Sequence, residues 1–338
     1  MSKISLNRSF NAAKASKQDE FYTQLSDIEK ELKHYKAHFK GKVVLCNCDD
    51  PSVSNFFHYF THNFESLGLK KLITTCYKNN QPNMFSEHQS DKAVWLEYTG
   101  EKDGDRVPSP EEIGVKHLDG DGDFRSEECI ELLKQADIVV TNPPFSLFRE
   151  YVIQLEEMDK KFLVIANHNA ITYKEIFKLI RKNKIWLGYS HPVAFRVPNN
   201  YEMRAVRSWR DKDGTNWRSL GNACWFTNLD IEKRHEELIL YKSYDPEIYP
   251  EYDNYKAIEV SRYKEIPRDY DGVMGVPLTF LEKHNPEQFE IVGSDYEVKE
   301  GLLPQLLRAD WDGKIDRGYV KGKRLYARIL VRNKWQTR

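Results

Sequence analysis

Between residues 42 and 230 short β-branched runs alternate with amphipathic helical segments, and this alternation limits the fold more than any other feature. "KVVLCNC" (42–48) and "KLITTCY" (71–77) flank "PSVSNFFHYFTHNFESLG", whose aromatic residues share one helical face, so the three make a β-α-β unit. A short strand around 115–118, a helix from Ser126 to Gln135, a strand over 137–142 and a helix from about Ser146 continue the pattern. "KKFLVIAN" (160–167), the helical "TYKEIFKLIRKN" and strands in "KIWLGY" and "ACWFTNL" complete it. Such alternation predicts an α/β fold built on a doubly wound, mainly parallel sheet, with ligands held at the carboxyl ends of its strands. Ahead of the sheet Leu25, Ile28, Leu32, Tyr35 and Phe39 recur at helical spacing, and Ser26 with Glu29 fits a capping box.

Beyond about residue 230 the alternation stops and Pro, Tyr and charge increase, which predicts a smaller, irregular α+β lobe. The chain therefore divides into a basic N-terminal arm (1–18), a sheet domain (19–230) and a C-terminal region (231–338). With 338 residues and 40% hydrophobic content it can bury a full core. Five scattered cysteines, with no apolar leader and no long uncharged apolar run, argue against secretion, a disulfide framework or a membrane span, so a cytoplasmic protein is expected.

A net charge of -1 conceals a marked asymmetry. Residues 1–18, 178–218 and 314–338 carry +4, +7 and +8, while 101–131 holds eleven Asp/Glu against four Lys/Arg. One basic run is often only a solvated face. Three in one chain favour contact with a polyanion through phosphate neutralisation and counterion release.

The expected strand ends narrow the ligand. In "CNCDDPSVSNF" Asp50 can cap a helix with Pro51 in its first turn, and the stretch has no glycine to cradle a pyrophosphate. Acids in that place suit an ammonium or ribose hydroxyls. In "HLDGDGDFRSEE", Asp119, Asp121 and Asp123 resemble a calcium loop, but the sixth position is Phe124 and the twelfth Ile130, where glycine and a bidentate Glu are needed. A plain acidic loop is one alternative. The other is that Asp123 accepts a hydrogen bond from an exocyclic amine while Phe124 stacks on a purine. A third strand end, "DIVVTNPPF", stops at Asn142, two prolines and Phe145. Prolines end strands routinely, so a structural stop is the plain reading.

"TNPPF" resembles the Asn-Pro-Pro-Phe/Tyr motif of amino-group DNA methyltransferases, and "DEFYTQ" (Asp19–Gln24) is similar to a cofactor motif that precedes the sheet in one permutation of that family. With "CNCDDPSVSNFF", "GDGDFRS", "ITYKEIF", "NKIWLG", "YDGVMGVPLTFL" and "NPEQFE" in order, the chain from about residue 14 onward resembles the EcoRI-type adenine-N6 DNA methyltransferases. The resemblance implies a seven-stranded Rossmann-like methyltransferase sheet, a catalytic domain over 19–230 and a target-recognition region over 231–338. It implies S-adenosylmethionine as donor, double-stranded DNA as substrate and methylation of a flipped-out adenine within a short, GAATTC-like palindrome. Neither a metal, a membrane nor an obligate protein partner is implied, and a monomer on DNA is expected.

By the same resemblance Asn142, Pro143, Pro144 and Phe145 are catalytic, with Asn142 also beside the donor. Phe21, Tyr22 and Thr23 lie near its methionine part, Asp49, Asp50 and Pro51 replace the usual Gly-rich first motif, and Asp123 and Phe124 meet its adenine. Cys76 and Tyr77 stand where many relatives carry a ribose-binding acid, so no ribose ligand is assigned there. Phe195, with Trp225 behind it, is the candidate for the second face of the flipped base, although either is commonly simple core. Arg196, Arg204, Arg207, Arg210, Lys321, Lys323 and Arg324 are candidate DNA contacts. N4-cytosine methylation, protein glutamine methylation and a catalytically silent DNA-binding protein are the alternatives. The absent Gly-rich motif speaks against the second, and the intact Asn142–Phe145 set against the third.

Overall fold

A computed structural model describes residues 21–48, 54–77, 93–100, 109–197, 201, 203 and 207–334. The N-terminal arm, Asp49 to Pro51 and Arg204 lie outside the described residues. The chain clusters into two units: one runs to Glu175 and resumes over Leu187–Leu229, the other comprises Ile176–Trp186 and Asp230–Arg338.

The first unit is built on a mixed sheet. In chain order its strands are β2 (Val43–Asn47), β3 (Lys71–Cys76), β4 (Val94–Tyr98), β5 (Lys116–His117), β6 (Ile138–Thr141), β7 (Lys161–Asn167), β8 (Trp186–Leu187) and β12 (Ala223–Thr227), in spatial order β5-β4-β3-β2-β6-β7-β12-β8. The expectation of seven mainly parallel strands is too uniform. The run β3-β2-β6-β7 pairs in parallel, whereas β4 runs against β3, β5 against β4 and β12 against β7. Strand β4 was not foreseen, because "VWLEY" alternates buried and half-buried residues and carries a glutamate. The central four read as continuous apolar runs because both faces are covered: all five residues of β2 and all four of β6 are buried.

From β2 the chain steps one way to β3, and from β6 the other way to β7. The two strands therefore flank the topological switch point, where their carboxyl ends leave a crevice. That edge is tied together. The Thr141 hydroxyl donates to the Asn47 carbonyl, and the Tyr151 hydroxyl donates to Asn47 Oδ1.

Two local expectations change. Helix α1 covers Leu25–Leu32 and is capped at Gln24 without a side-chain bond, so the Ser26–Glu29 capping box does not form. The apolar spacing continues across a break, because a separate helical turn over Lys36–Phe39 keeps Tyr35 and Phe39 buried. Helix α2 (Asn55–His62) is capped by Ser54, whose side chain accepts from Phe56 N and Phe57 N, so Asp50 is not its cap. Ser126 does cap α3 (Glu127–Gln135), accepting from Cys129 N, and α4 (Phe148–Glu157) follows β6.

A second, four-stranded sheet carries β1 (Tyr22–Thr23), β9 (Ala194–Arg196), β10 (Ser208–Arg210) and β11 (Asn216–Ser219), in order β1-β9-β11-β10. All its pairings are antiparallel. Opposed residues share a face, so Ser208, Arg218, Phe195 and Thr23 form one row across it and Trp209, Trp217, Arg196 and Tyr22 form the other.

In the second unit, β13 (Ile258–Glu259), β14 (Met274–Pro277), β15 (Phe289–Ser294) and β18 (Arg328–Asn333) form a sheet in the order β13-β14-β18-β15. A hairpin joins β16 (Tyr319–Val320) to β17 (Lys323–Arg324) through Lys321 and Gly322, both at positive φ. The sheet packs a tyrosine-rich core that includes Tyr252, Tyr255, Val298 and Leu330. No helix among the described residues is long and apolar enough to cross a membrane.

Two buried groups of this unit oppose each other in pH. Burial holds the His284 imidazole down at about 4, and its Nε2 faces the Phe289 carbonyl at 3.2 Å. Its share of stability is complete above pH 6.5 and falls, by about 3 kcal/mol, as pH drops toward 4. Burial pushes the Asp295 carboxyl up to about 6, although the Arg317 guanidinium and the Arg328 N–H act the other way. Its share is complete below about 4 and is lost as pH rises through 6, again by about 3 kcal/mol. The two slopes largely cancel in the wild type. Asp295→Asn removes one of them, so relative to wild type the variant should lose about 3 kcal/mol between pH 6.5 and 4. Urea unfolding of both proteins across that range checks this, and parallel profiles would contradict it.

Candidate active site

Asn142 follows the last residue of β6 at the switch point, and its side chain is held in one orientation. Its Nδ2 donates to the Phe21 carbonyl at 2.6 Å and lies 3.3 Å from Thr23 Oγ1. A carbonyl oxygen can only accept, so the amide must turn its nitrogen to Phe21 and its oxygen away. That oxygen, Oδ1, is buried and has no hydrogen-bond partner among the described residues. Pro143 is buried beside it, and no hydrogen bond among the described residues reaches its carbonyl. A buried acceptor left unmatched costs about 1–3 kcal/mol, so the Asn142 oxygen can take a hydrogen bond from a donor, and the Pro143 carbonyl offers a second acceptor on the next residue. The Pro144 carbonyl is spent locally, accepting from Leu147 N at 2.9 Å to start the turn into α4.

The segment that orients Asn142 lies about 120 residues earlier in the chain. It is fixed by two amides: Asn55 Nδ2 donates to the Thr23 carbonyl at 2.7 Å, and Gln24 Nε2 to the Ala194 carbonyl at 2.9 Å. Thr23 and Phe195 share a sheet row, and that row faces Asn142.

Around the acceptors stands a cluster of rings. Phe21 lies 5.4 Å from Phe145 and 5.8 Å from Phe195, centroid to centroid, while Phe145 and Phe195 meet edge to face at 6.5 Å. The structure thus brings Phe195, the candidate for the second face of the base, to Phe145, with Phe195 fully buried. Trp225 makes its ring contact elsewhere. It sits fully buried in β12, edge-on to Phe56 at 6.1 Å, and no ring contact among the described residues joins it to Phe195.

The other strand ends carry the acidic loop. Gly122 has φ +78°, and a Cβ there would meet the Cys76 carbonyl at 2.5 Å, so only glycine lets the loop lie against the end of β3. Asp121 accepts from the Tyr77 hydroxyl, and burial together with Asp121 and Asp123 raises the Tyr77 pKa. The Asp123 carboxylate is engaged by Arg125, through Nε at 2.8 Å and Nη2 at 2.6 Å. Phe124 is nearly buried, edge-on to Tyr151 at 5.0 Å. Among the described residues no three His, Cys, Asp or Glu side chains converge as metal ligands.

Of the basic candidates, Arg196, Arg207 and Arg210 are exposed on or beside the small sheet. Arg210 Nε donates to Asn216 Oδ1 at 2.9 Å. Lys321, Lys323 and Arg324 belong to the hairpin of the second unit, where Arg324 pairs with Asp316 at 2.9 Å. Sequence reasoning missed two features here. One is the stacked pair Trp209–Trp217, centroids 6.5 Å apart, in which the Trp217 indole N–H donates to Asp211 and holds that carboxyl below its ordinary range. The other is Arg218, in the row that faces Asn142. The signal for both was the two-residue alternation in "SWR" and "NWRS".

Comparison with known proteins finds relatives along almost the whole chain. A family model described as "Adenine-specific methyltransferase EcoRI" matches residues 9–334. The chain is 49% identical over 339 residues to "Type II methyltransferase M.EcoRI" of Escherichia coli, covering 99% of both chains. It is 39% identical to "Type II methyltransferase M.MpnI" of Mycoplasma pneumoniae and 38% identical to "Type II methyltransferase M.MgeORF184P" of Mycoplasma genitalium, in each case over 96% of this chain and 98% of the relative. No solved structure matches the chain.

Proposed function

The chain belongs to the EcoRI-type adenine-specific DNA methyltransferases, and from that premise we infer how its site works. The enzyme is a site-specific, S-adenosylmethionine-dependent methyltransferase of the restriction–modification kind, acting on adenine in DNA. The observation that carries the residue assignment is the Asn142 oxygen, buried, without a hydrogen-bond partner among the described residues and fixed in direction by the Phe21 carbonyl.

Adenine N6 is a poor nucleophile because its lone pair is delocalised into the ring. Asn142 Oδ1 and the Pro143 carbonyl accept its two hydrogens and draw the nitrogen toward tetrahedral geometry. As the N–C bond forms, nitrogen becomes positive, and both acceptors strengthen on the charge that develops. The proton leaves afterward to water, so no side chain with a shifted pKa is required as base. Phe145 stacks on one face of the base. Phe195, which meets Phe145 edge to face, is assigned to the other face. The target adenine must leave the duplex to reach this point, at a cost of a few kcal/mol.

The donor supplies an electrophilic methyl on a sulfonium sulfur. The acid-rich strand ends suit an ammonium and ribose hydroxyls better than a phosphate. We assign Phe21, Tyr22 and Thr23 to its methionine part, the first strand end with Asp49, Asp50 and Pro51 to its centre, and Asp123 and Phe124 to its adenine. The second unit, with its basic hairpin, is proposed to supply target recognition.

Labelled methyl transfer to a duplex containing GAATTC, followed by nucleoside analysis, tests the reading. N6-methyladenine and protection of that duplex from cleavage at GAATTC are expected. Label in cytosine or in protein would overturn the reading, whereas N6-methyladenine without protection would keep the chemistry and move the recognition site.

A further inference from the structure

We propose that Arg218 holds a DNA phosphate next to the flipped adenosine and so positions the nucleotide for transfer. The inference rests on the adenine-methyltransferase reading of the site. Arg218 lies in the row Ser208–Arg218–Phe195–Thr23, the face on which Thr23 meets Asn142 and Phe195 meets Phe145. It is partly buried, and among the described residues no carboxylate pairs with it. Its Nε is buried without a hydrogen-bond partner, its Nη1 makes only a long 3.4 Å bond to Ser208 Oγ, and its guanidinium lies 5.7 Å from the Tyr201 ring. Tyr201 in turn stands 6.4 Å from Phe21.

A half-buried guanidinium is normally matched by an acid, as Arg328 is by Glu259 in the second unit. Arg218 has the opposite arrangement: a planar fork of donors, one already stripped of water, with no acid to meet it among the described residues. The fork fits a phosphate oxygen pair bidentately. Thr23 and Arg218 are two strand spacings apart, about 10 Å, which suits a nucleotide with its base edge at Asn142 and its phosphate at the far end of the row. The donor's carboxylate is the other anion a guanidinium could meet at this site, and the test separates the two.

The test compares the full-length wild type with Arg218→Gln and Arg218→Lys. Three quantities are read: DNA affinity against salt, fluorescence of a 2-aminopurine placed at the target adenine, and the dissociation constant of the donor analogue sinefungin. Arg218→Gln should lower the slope of log affinity against log salt by about one, as expected for one phosphate contact. It should also reduce kcat/KM for DNA roughly tenfold or more and weaken the 2-aminopurine signal, with sinefungin binding unchanged. Arg218→Lys should keep the slope and recover only part of kcat/KM, because an ammonium cannot fork. An unchanged salt slope in Arg218→Gln, or a loss confined to sinefungin binding, would overturn the proposal. Should Arg218→Gln fold poorly, Arg218→Lys decides it, and wild-type kcat/KM in that variant would count against a forked contact. A wild-type protein that transfers no methyl to DNA would instead bring down the reading of the whole site.

Discussion

Replacing Asn142 with alanine is expected to lower kcat about 10²–10³-fold while leaving DNA and donor binding within a few-fold of wild type. The magnitude follows from what is removed: one of two fixed, desolvated acceptors aimed at charge that grows only as the N–C bond forms. Deleting one preorganised polar group of this kind typically costs about 3–4 kcal/mol in the transition state. Ground-state binding changes less, because the free amine is neutral. The expected signature is therefore a fall in kcat and kcat/KM together with little change in KM. Thr23→Val should be far milder, since the Phe21 carbonyl at 2.6 Å still orients the amide after the 3.3 Å contact is lost. Single-turnover methyl transfer measures both variants, and an Asn142→Ala enzyme within threefold of wild type would refute the assignment.

The largest stability effect is expected at Glu31, a carboxylate with no exposed surface in helix α1. It accepts four hydrogen bonds: from the Tyr35 hydroxyl at 2.9 Å, Tyr189 N at 2.8 Å, Ser190 N at 2.7 Å and Ser190 Oγ at 2.7 Å. Gly188 leaves room for it, because a Cβ there would collide with Glu31 Oε1. One side chain thus pins the 188–190 turn to the helix that follows β1, and that turn leads into the strand carrying Phe195. Glu31→Ala would leave two backbone N–H groups and two hydroxyls without their acceptor and should destabilise the first unit by about 3–5 kcal/mol. Glu31→Gln keeps the shape but turns an amide N–H toward a donor, so an intermediate loss is expected. Denaturant midpoints at constant m-value measure both, and a loss below about 1 kcal/mol for the alanine variant would contradict this role.

How much of this was legible in the sequence depends on the range of the interaction. The central strands were visible because β2, β6 and β7 are buried on both faces and so read as unbroken apolar runs. Strand β4 was not, because its alternating burial leaves no such run. Helix α1 began two residues early, with Gln24 in place of Ser26 as its cap, and broke before Tyr35, since a capping box competes with tertiary contacts that spacing cannot reveal. Asn142, Pro143 and Phe145 were found from an unusual strand end, but the partner that orients Asn142 comes from Phe21, 121 positions away. Trp225 could not be assigned from sequence because an aromatic on a core strand and one at a site look alike there. Arg218 was overlooked for a related reason: charge counting weights every arginine equally, and only strand register separates the row facing Asn142 from the row behind it.

The central claim is that the Asn142 oxygen receives the target amine, and a double-mutant cycle tests it most directly. Wild type and Asn142→Ala are each bound, with sinefungin present, to a duplex carrying adenine at the target position and to one carrying purine, which lacks the 6-amino group. The four dissociation constants give the coupling between amine and side chain, free of the cost of flipping the base. The structure predicts a favourable coupling of about 1 kcal/mol, roughly fivefold in affinity, because the amine satisfies a buried acceptor that has no other partner among the described residues. A coupling of zero would contradict it.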